Sequence, residues 1–183
     1  MKNTFKPLFT KFFAVLLFTF SIFLQSCSEP ADKFFGVAVL NTNTITDFGT
    51  PRFAKQLNDN AIEYPDIPSS KKNGDEASNV VKNKVLYMEK VLKDLNALSA
   101  NDDSRAEIKK QSIALYEFVI PVYKNEYTAY AKLCDTKAPQ EQRDEILKSI
   151  EQKYTNEFEK KYTALLSSGK AFAEKNNLNV NWN

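Results

Sequence analysis

A helical repeat of apolar residues in the middle of the chain limits the fold more than any other feature of the sequence. Apolar residues recur there in steps of four, three, four and three, at Val81, Val85, Met88, Leu92 and Leu95. This spacing places all five side chains on one side of an α-helix, and it is typical of the seam of a helical bundle. Because such an apolar side must be buried against other elements, the repeat predicts a bundle.

The next predicted helix contains a proline. Ser104 and Glu107 have the spacing of a capping box at its start. Its apolar stripe consists of Ile108, Leu115, Val119 and Val122. Pro121 lacks the backbone N–H that a helix interior needs, and its ring clashes with the carbonyl four residues earlier. We therefore expect a single helix with a kink at Pro121 instead of two separate helices.

The last predicted helix follows Pro139, which suits a first turn because no partner is needed there for its missing N–H. Its inner face consists of Leu147, Ile150, Tyr154, Phe158, Tyr162, Leu165 and Phe172. After this helix the tail ends close to Trp182, which we expect to fold back on the bundle. Short connections at 99–103 and 135–138 should make neighbouring helices antiparallel.

The region before the first repeat is less regular. Residues 33–48 have apolar residues at roughly helical spacing, and Gly49 and Pro51 then supply a stop, but KFFGVAVL also suits a short strand. Pro51 can open a second helical piece, and residues 64–74 form a linker. The predicted fold is all-α: an up-down four-helix bundle with a short or broken first helix and a Pro-kinked third helix.

The N-terminus has the pattern of a secretory signal. Lys2, Lys6 and Lys11 precede the uncharged apolar run from Phe12 to Leu24, which is shorter than the roughly 20 residues that a membrane-spanning helix needs. The residues that follow, Leu24-Gln25-Ser26-Cys27, resemble the lipobox of bacterial lipoproteins. An ordinary secretory signal with a chance cysteine, or an uncut anchoring helix, are the alternatives.

The resemblance to bacterial lipoproteins implies that the Cys27 thiol receives a diacylglycerol and that the peptide bond before it is cut. It divides the chain into a signal peptide at 1–26, a lipidated tether at 27–32 and a single domain at 33–183. Membrane lipid is then a partner through palmitate-like chains, two or more of which anchor stably. Ser28 stands where enteric lipoproteins retained at the inner membrane have aspartate, which favours the outer membrane; the face that carries the protein stays open.

Charge and residue types exclude several functions. The chain has 25 basic and 23 acidic residues, but residues 1–26 contain three of the lysines and no acid, which leaves 22 against 23. The mature part therefore has no basic excess that would indicate a nucleic-acid partner. The chain contains no histidine, which excludes histidine-dependent triads and makes zinc or di-iron sites improbable. We expect no catalytic residue, no metal site and no cofactor.

The proline-containing helix carries four tyrosines, one cysteine and one glutamate that could take part in a site. The four tyrosines share one side of it: Tyr116, Tyr123, Tyr127 and Tyr130. They either line a ligand groove or pack at the bundle margin with their hydroxyls in water. Cys134 is expected to be a small apolar core residue, and Glu126 to be rotated outward by the kink.

Together these observations favour a non-enzymatic, lipid-anchored helical bundle of the cell envelope that acts by contact with another macromolecule. The alternative is a protein that binds a small apolar or aromatic ligand on the Tyr116–Tyr130 face. A pocket lined by tyrosine rings next to Pro121 would favour the ligand hypothesis, and a closed core would favour the contact hypothesis.

Overall fold

The computed structural model describes residues 29–182, and every regular element in that range is helical. Helix α1 (Ala31–Ala38) is followed by a 3-10 helix (Leu40–Ile45), and α2 spans Pro51–Ala61. A short 3-10 turn at Pro68–Ser70 precedes α3 (Glu76–Ala97). Residues 33–48 are thus helical and not a strand. The predicted signal peptide at 1–26 and the lipidation site Cys27 lie outside the described residues.

Two long helices complete the fold, and each contains a π-helical turn. Helix α4 consists of Asp103–Val122, the π turn Tyr123–Tyr127 and Thr128–Asp135. Helix α5 consists of Gln140–Ile150, the π turn Glu151–Thr155 and Asn156–Lys175. None of the helices in the described range is both long and apolar enough to cross a membrane.

Helix α4 continues through Pro121, as predicted, and widens immediately afterwards. The π turn begins two residues beyond the proline, where the regular hydrogen-bond ladder has already lost one donor. The Thr128 hydroxyl donates to the Tyr123 carbonyl at 3.0 Å and so provides a donor to a carbonyl within the widened turn. Helix α4 therefore passes through Pro121 without ending, and its winding widens in the turn that follows.

The described part contains five helices, so the predicted count of four is not confirmed. The N-terminal segment is divided because Gly49 adopts a φ of +68° and Pro51 starts a new helix. Helix α1 lies beside the start of α4, where Phe34 contacts Arg105. Helix α2 lies beside the end of α4, where Asn58 contacts Tyr130. Helices α3, α4 and α5 follow one another through short loops, and α4 packs against both of its neighbours.

The core joins all five helices. In α3 the predicted seam is buried, except that Val91 takes the fully buried position expected of Leu92. The N-terminal segment contributes Phe34, Phe35, Phe48 and Phe53, which are among the largest fully buried side chains. The Trp182 ring meets Phe35 edge-on at 5.8 Å, so the tail folds back on the bundle as expected.

Both ends of α3 are hydrogen-bonded to side chains of α4. At its start, the Asp135 carboxylate accepts from the backbone N–H groups of Ala77 and Ser78 at 2.9 and 3.0 Å. Near its end, the Lys109 ammonium donates to the carbonyls of Asn96 and Leu98 at 2.9 and 2.8 Å. These contacts satisfy backbone groups that a helix leaves without partners at its ends.

The helices α3 and α4 begin differently, and one predicted start is wrong. Asp75 occupies the position before α3, but its side chain makes no capping hydrogen bond. The predicted capping box at Ser104 and Glu107 is wrong, because α4 begins at Asp103 and the Asp102 side chain accepts from the Arg105 N–H at 3.0 Å. Aspartate is as good a cap as serine, and two consecutive aspartates precede Ser104.

Candidate functional site

The four tyrosines singled out from the sequence lie inside the core. Tyr116, Tyr123, Tyr127 and Tyr130 are each fully buried, and they are packed instead of exposed at the margin of the bundle. The Tyr123 and Tyr127 rings stack at 4.7 Å, and Phe53 meets both rings edge-on. The aromatic side of α4 is thus part of a closed core and not an open groove.

Three of the tyrosine hydroxyls bind the N-terminal segment. The Tyr123 hydroxyl donates to Asp47 at 3.1 Å, and the Tyr127 hydroxyl accepts from the Gly49 N–H at 2.8 Å. The Tyr130 hydroxyl accepts from the Asn58 amide at 2.6 Å. These bonds fasten the junction between α1 and α2, and the body of α2, onto α4.

Burial keeps these phenols protonated. It raises the pKa of Tyr123 well above its ordinary value and that of Tyr127 to about 12, although the Gly49 N–H opposes the shift at Tyr127. Burial also raises the pKa of Tyr116, whose hydroxyl lies near Thr44 without a partner in hydrogen-bonding geometry. Neutral phenols of this kind support packing and hydrogen bonding and not acid–base chemistry at neutral pH.

A partly buried ion pair lies next to the tyrosines. The Lys84 ammonium of α3 is 2.6 Å from the Asp47 carboxylate, and the two side chains are only 15% and 14% exposed. The same ammonium lies 4.4 Å from the centre of the Phe53 ring. Burial lowers the pKa of Lys84, while the hydrogen bond and the negative charge of Asp47 oppose that shift. The pair thus binds α3 to the α1–α2 junction.

A cavity lies at the end of the bundle where α4 ends and α5 begins. We call it the end cavity; its volume is about 740 Å³, and Asn58, Ile62, Glu63, Cys134, Lys137 and Arg143 are among the residues that line it. Asn58 connects its polar wall, because its side-chain oxygen accepts from the Arg143 guanidinium and from the Cys134 thiol, the latter at 3.4 Å. Its amide nitrogen donates to Tyr130.

Cys134 is fully buried in the core, whereas Glu126 is only half-buried. The Cys134 side chain is 2% exposed, and burial raises the pKa of its thiol although the nearby Arg143 opposes the shift. The thiol is therefore protonated at neutral pH and is a poor nucleophile. Glu126 is half-buried and accepts a hydrogen bond from the Tyr154 hydroxyl at 3.3 Å, so it is not turned fully outward as predicted.

The opposite end of the bundle holds the start of the described chain. Arg105 in the first turn of α4 is 8% exposed, and its guanidinium donates to the Glu29 carbonyl at 2.7 Å. The guanidinium lies over the Phe34 ring at 5.0 Å and near the Phe172 ring at 5.7 Å. These contacts hold Glu29 against α4 and the end of α5.

Neither Arg105 nor the group formed by Asn58 and Arg143 was identified from the sequence. Arg143 and Asn58 are 85 residues apart and belong to no spaced motif, so no local pattern brings them together. Within residues 29–182, no cluster of three or more histidine, cysteine or acidic side chains is arranged to hold a metal ion. Comparisons of the chain with protein-family models, curated proteins and solved structures found no match.

Proposed function

We propose that this chain is a lipid-anchored protein of the bacterial cell envelope that acts by contact with another envelope protein and carries out no catalysis. The observation that carries this proposal is the lipobox-like sequence Leu24-Gln25-Ser26-Cys27, and the bond from Arg105 to the Glu29 carbonyl fixes which end of the bundle lies nearest to it along the chain. The chain enters at one end, and the end cavity and the α2–α3 linker lie at the other.

The position of Glu29 determines how the bundle would stand on a membrane. Cys27 precedes Glu29 by two residues, which span at most about 7 Å. Acyl chains on Cys27 would therefore hold the Arg105 end close to the lipid headgroups. The end cavity, next to Cys134, would then lie about 45 Å further out along α4. The outer membrane is the proposed location because Ser28, and not aspartate, follows the lipidated cysteine.

Lipidation is tested by replacing each of the two cysteines separately. Labelled palmitate should be incorporated into the parent chain and into the Cys134→Ala variant, because the buried Cys134 thiol plays no part in anchoring. The Cys27→Ala variant should incorporate no label and should be lost from the membrane fraction. Equal labelling of the Cys27→Ala variant and the parent would refute the lipid anchor.

The outer end of the bundle has the surface that best suits a protein contact. The α2–α3 linker exposes three large apolar side chains within six residues: Ile62, Tyr64 and Ile67 are 40%, 57% and 49% exposed. Aromatic and aliphatic side chains of this kind commonly form the centre of protein interfaces. The linker surface, defined by these three residues, is the proposed contact site for the envelope protein.

The contact is tested by placing a photocrosslinking amino acid at single positions in intact cells. Probes at Tyr64 and at Ile67 should give adducts with one and the same protein. A probe at Leu86, which is 54% exposed on α3, serves as the control and should not give that adduct. Equal adducts from all three positions would indicate non-specific proximity and would contradict the proposed linker surface.

The small-ligand alternative on the Tyr116–Tyr130 face has less support. A ligand there would have to displace rings that are fully buried and break hydrogen bonds to Asp47, Gly49 and Asn58. The closed core is the arrangement that favours the contact hypothesis.

A further inference from the structure

We propose that the end cavity binds a small organic molecule with one carboxylate group and an apolar body, and that Arg143 binds the carboxylate. This site is separate from the tyrosine side of α4 and does not depend on lipid anchoring; it borders the linker surface and shares Ile62 with it. Three features of the end cavity support this site: its size, its charged groups and the edge of the Arg143 guanidinium that an exposed glutamine side chain occupies.

The size and composition of the end cavity suit such a molecule. Its volume of about 740 Å³ falls within the range of roughly 300–1,000 Å³ that is usual for ligand pockets. Ala61, Ile62 and Pro65 give it an apolar wall, to which the protonated Cys134 thiol adds. The polar groups converge on the side of Arg143. An apolar wall beside a few oriented polar groups is the usual composition of a small-molecule site.

The charges around the end cavity do not cancel. Three charged side chains line it, and two of them, Glu63 and Lys137, form an ion pair with each other. The third, Arg143, donates to the neutral amides of Asn58 and Gln140. Among residues 29–182 no carboxylate lies within ion-pair distance of Arg143. The Asp144 carboxylate accepts from the Gln140 amide nitrogen at 2.6 Å and forms no ion pair with Arg143, so the guanidinium has no direct carboxylate partner that an anionic ligand would have to displace.

The hydrogen bonds of Arg143 leave one edge of the guanidinium suited to a carboxylate. Its Nε is buried and has no hydrogen-bond partner within the described range, and its Nη2 donates to Gln140 at 2.7 Å. Nε and one Nη together form the edge that accommodates both oxygens of a carboxylate. Gln140 is an exposed side chain on the first turn of α5, and its amide nitrogen also donates to Asp144 at 2.6 Å. A ligand carboxylate would have to replace the Gln140 oxygen on this edge.

The test follows the Nε–H signals of arginine by nuclear magnetic resonance in the full-length chain, held in a non-ionic detergent micelle. The chain has only three arginines, Arg52, Arg105 and Arg143, so the three signals are readily assigned by substitution. The probes are 4-phenylbutyrate and its uncharged amide, 4-phenylbutyramide. The carboxylate should shift the Arg143 signal in a saturable titration, while Arg105 at the opposite end stays unchanged. Binding of the amide should be about tenfold weaker or more, because it lacks the charge-assisted bonds.

Three variants separate binding from folding. Arg143→Gln, which lacks the signal followed above and is therefore titrated by isothermal titration calorimetry, should bind no 4-phenylbutyrate; Arg52→Gln is the matched control on the exposed surface of α2. Because Arg143→Gln also removes a bond to Asn58, a second variant is needed that leaves the core intact. Gln140→Glu alters an exposed side chain that bonds to Arg143 and to Asp144, and it leaves the buried core unchanged. It supplies an internal carboxylate, so it should compete for Arg143 and weaken 4-phenylbutyrate binding about tenfold or more.

The outcomes are decisive in either direction. Saturable binding of 4-phenylbutyrate that is lost in Gln140→Glu and retained in Arg52→Gln supports the site. An absence of any Arg143 shift, equal affinity for the acid and the amide, or full affinity in Gln140→Glu overturns it. Because every measurement concerns the end cavity alone, failure here leaves the proposed anchor and linker contact unaffected.

Discussion

Replacing Asp47 with asparagine is expected to lower the free energy of unfolding by about 3 kcal/mol, the lower end of the range for breaking a buried ion pair. The change leaves the Lys84 ammonium without its counter-charge in a site where both side chains are mostly buried. It also weakens the acceptor of the Tyr123 hydroxyl. Urea unfolding followed by circular dichroism would measure the loss.

The pH dependence of the stability loss in Asp47→Asn tests whether the unpaired Lys84 ammonium causes it. Burial already lowers the pKa of Lys84 from its ordinary value of 10.5, and removal of Asp47 takes away the groups that oppose this shift. When a lysine has a lower pKa in the folded state, the unfolded state binds more protons between the two pKa values, so stability rises with pH there. The difference in free energy of unfolding between the parent and Asp47→Asn, measured at the same pH, should therefore shrink as the pH approaches 10.5.

Two further variants test the assignment to Lys84. The double variant Asp47→Asn/Lys84→Met should recover most of the loss, because it removes the unpaired charge and keeps the apolar stem over Phe53. Asp59→Asn, which breaks the exposed pair with Lys55, should cost less than about 1 kcal/mol. A double variant no more stable than the single one would show that the unpaired ammonium is not the source of the loss.

Replacing Gly49 with alanine is expected to lower the free energy of unfolding by about 2–5 kcal/mol, the sum of two separate effects. Gly49 has a φ of +68°, a conformation that costs alanine about 1–2 kcal/mol. The new Cβ would also overlap the Thr155 hydroxyl in the π turn of α5, and overpacking of this kind costs about 1–3 kcal/mol. Thermal and urea unfolding would give the total.

The other glycines provide matched controls for each effect. Gly74 has a φ of +89° and open space around it, so Gly74→Ala measures the backbone strain alone. Gly36 lies within α1 with open space and an ordinary φ, so Gly36→Ala should stabilise the protein by about 0.5–1 kcal/mol. In a Thr155→Ala background the cost of Gly49→Ala should fall to that of Gly74→Ala. An unchanged cost there would rule out the overlap with Thr155.

The helices and most core positions could be predicted from the sequence because both depend on local periodicity. The seam of α3 and the continuity of α4 through Pro121 follow from apolar spacing and from the limited effect of a single proline. The division of the N-terminal segment was visible in Gly49 and Pro51. The π turns were not predicted, because a single turn with hydrogen bonds between residues five apart leaves no distinct apolar period in the sequence.

The surroundings of the tyrosines could not be predicted for a different reason. The sequence placed the four rings on one side of α4, but their burial depends on Asp47, Gly49 and Asn58, which precede their partners by 72 to 78 residues. Single polar residues in an irregular segment give no signal of which helix they will meet. The same holds for Asn58 and Arg143 in the end cavity.

The two contacts from α4 to the ends of α3 affect how this part of the fold can open. Helices usually fray from their termini, where backbone groups lack partners. In α3 the terminal groups are bound by Asp135 and Lys109, which belong to the neighbouring helix. Loosening either end of α3 therefore requires separation from α4 as well, and the two helices should exchange their amide protons as one cooperative unit.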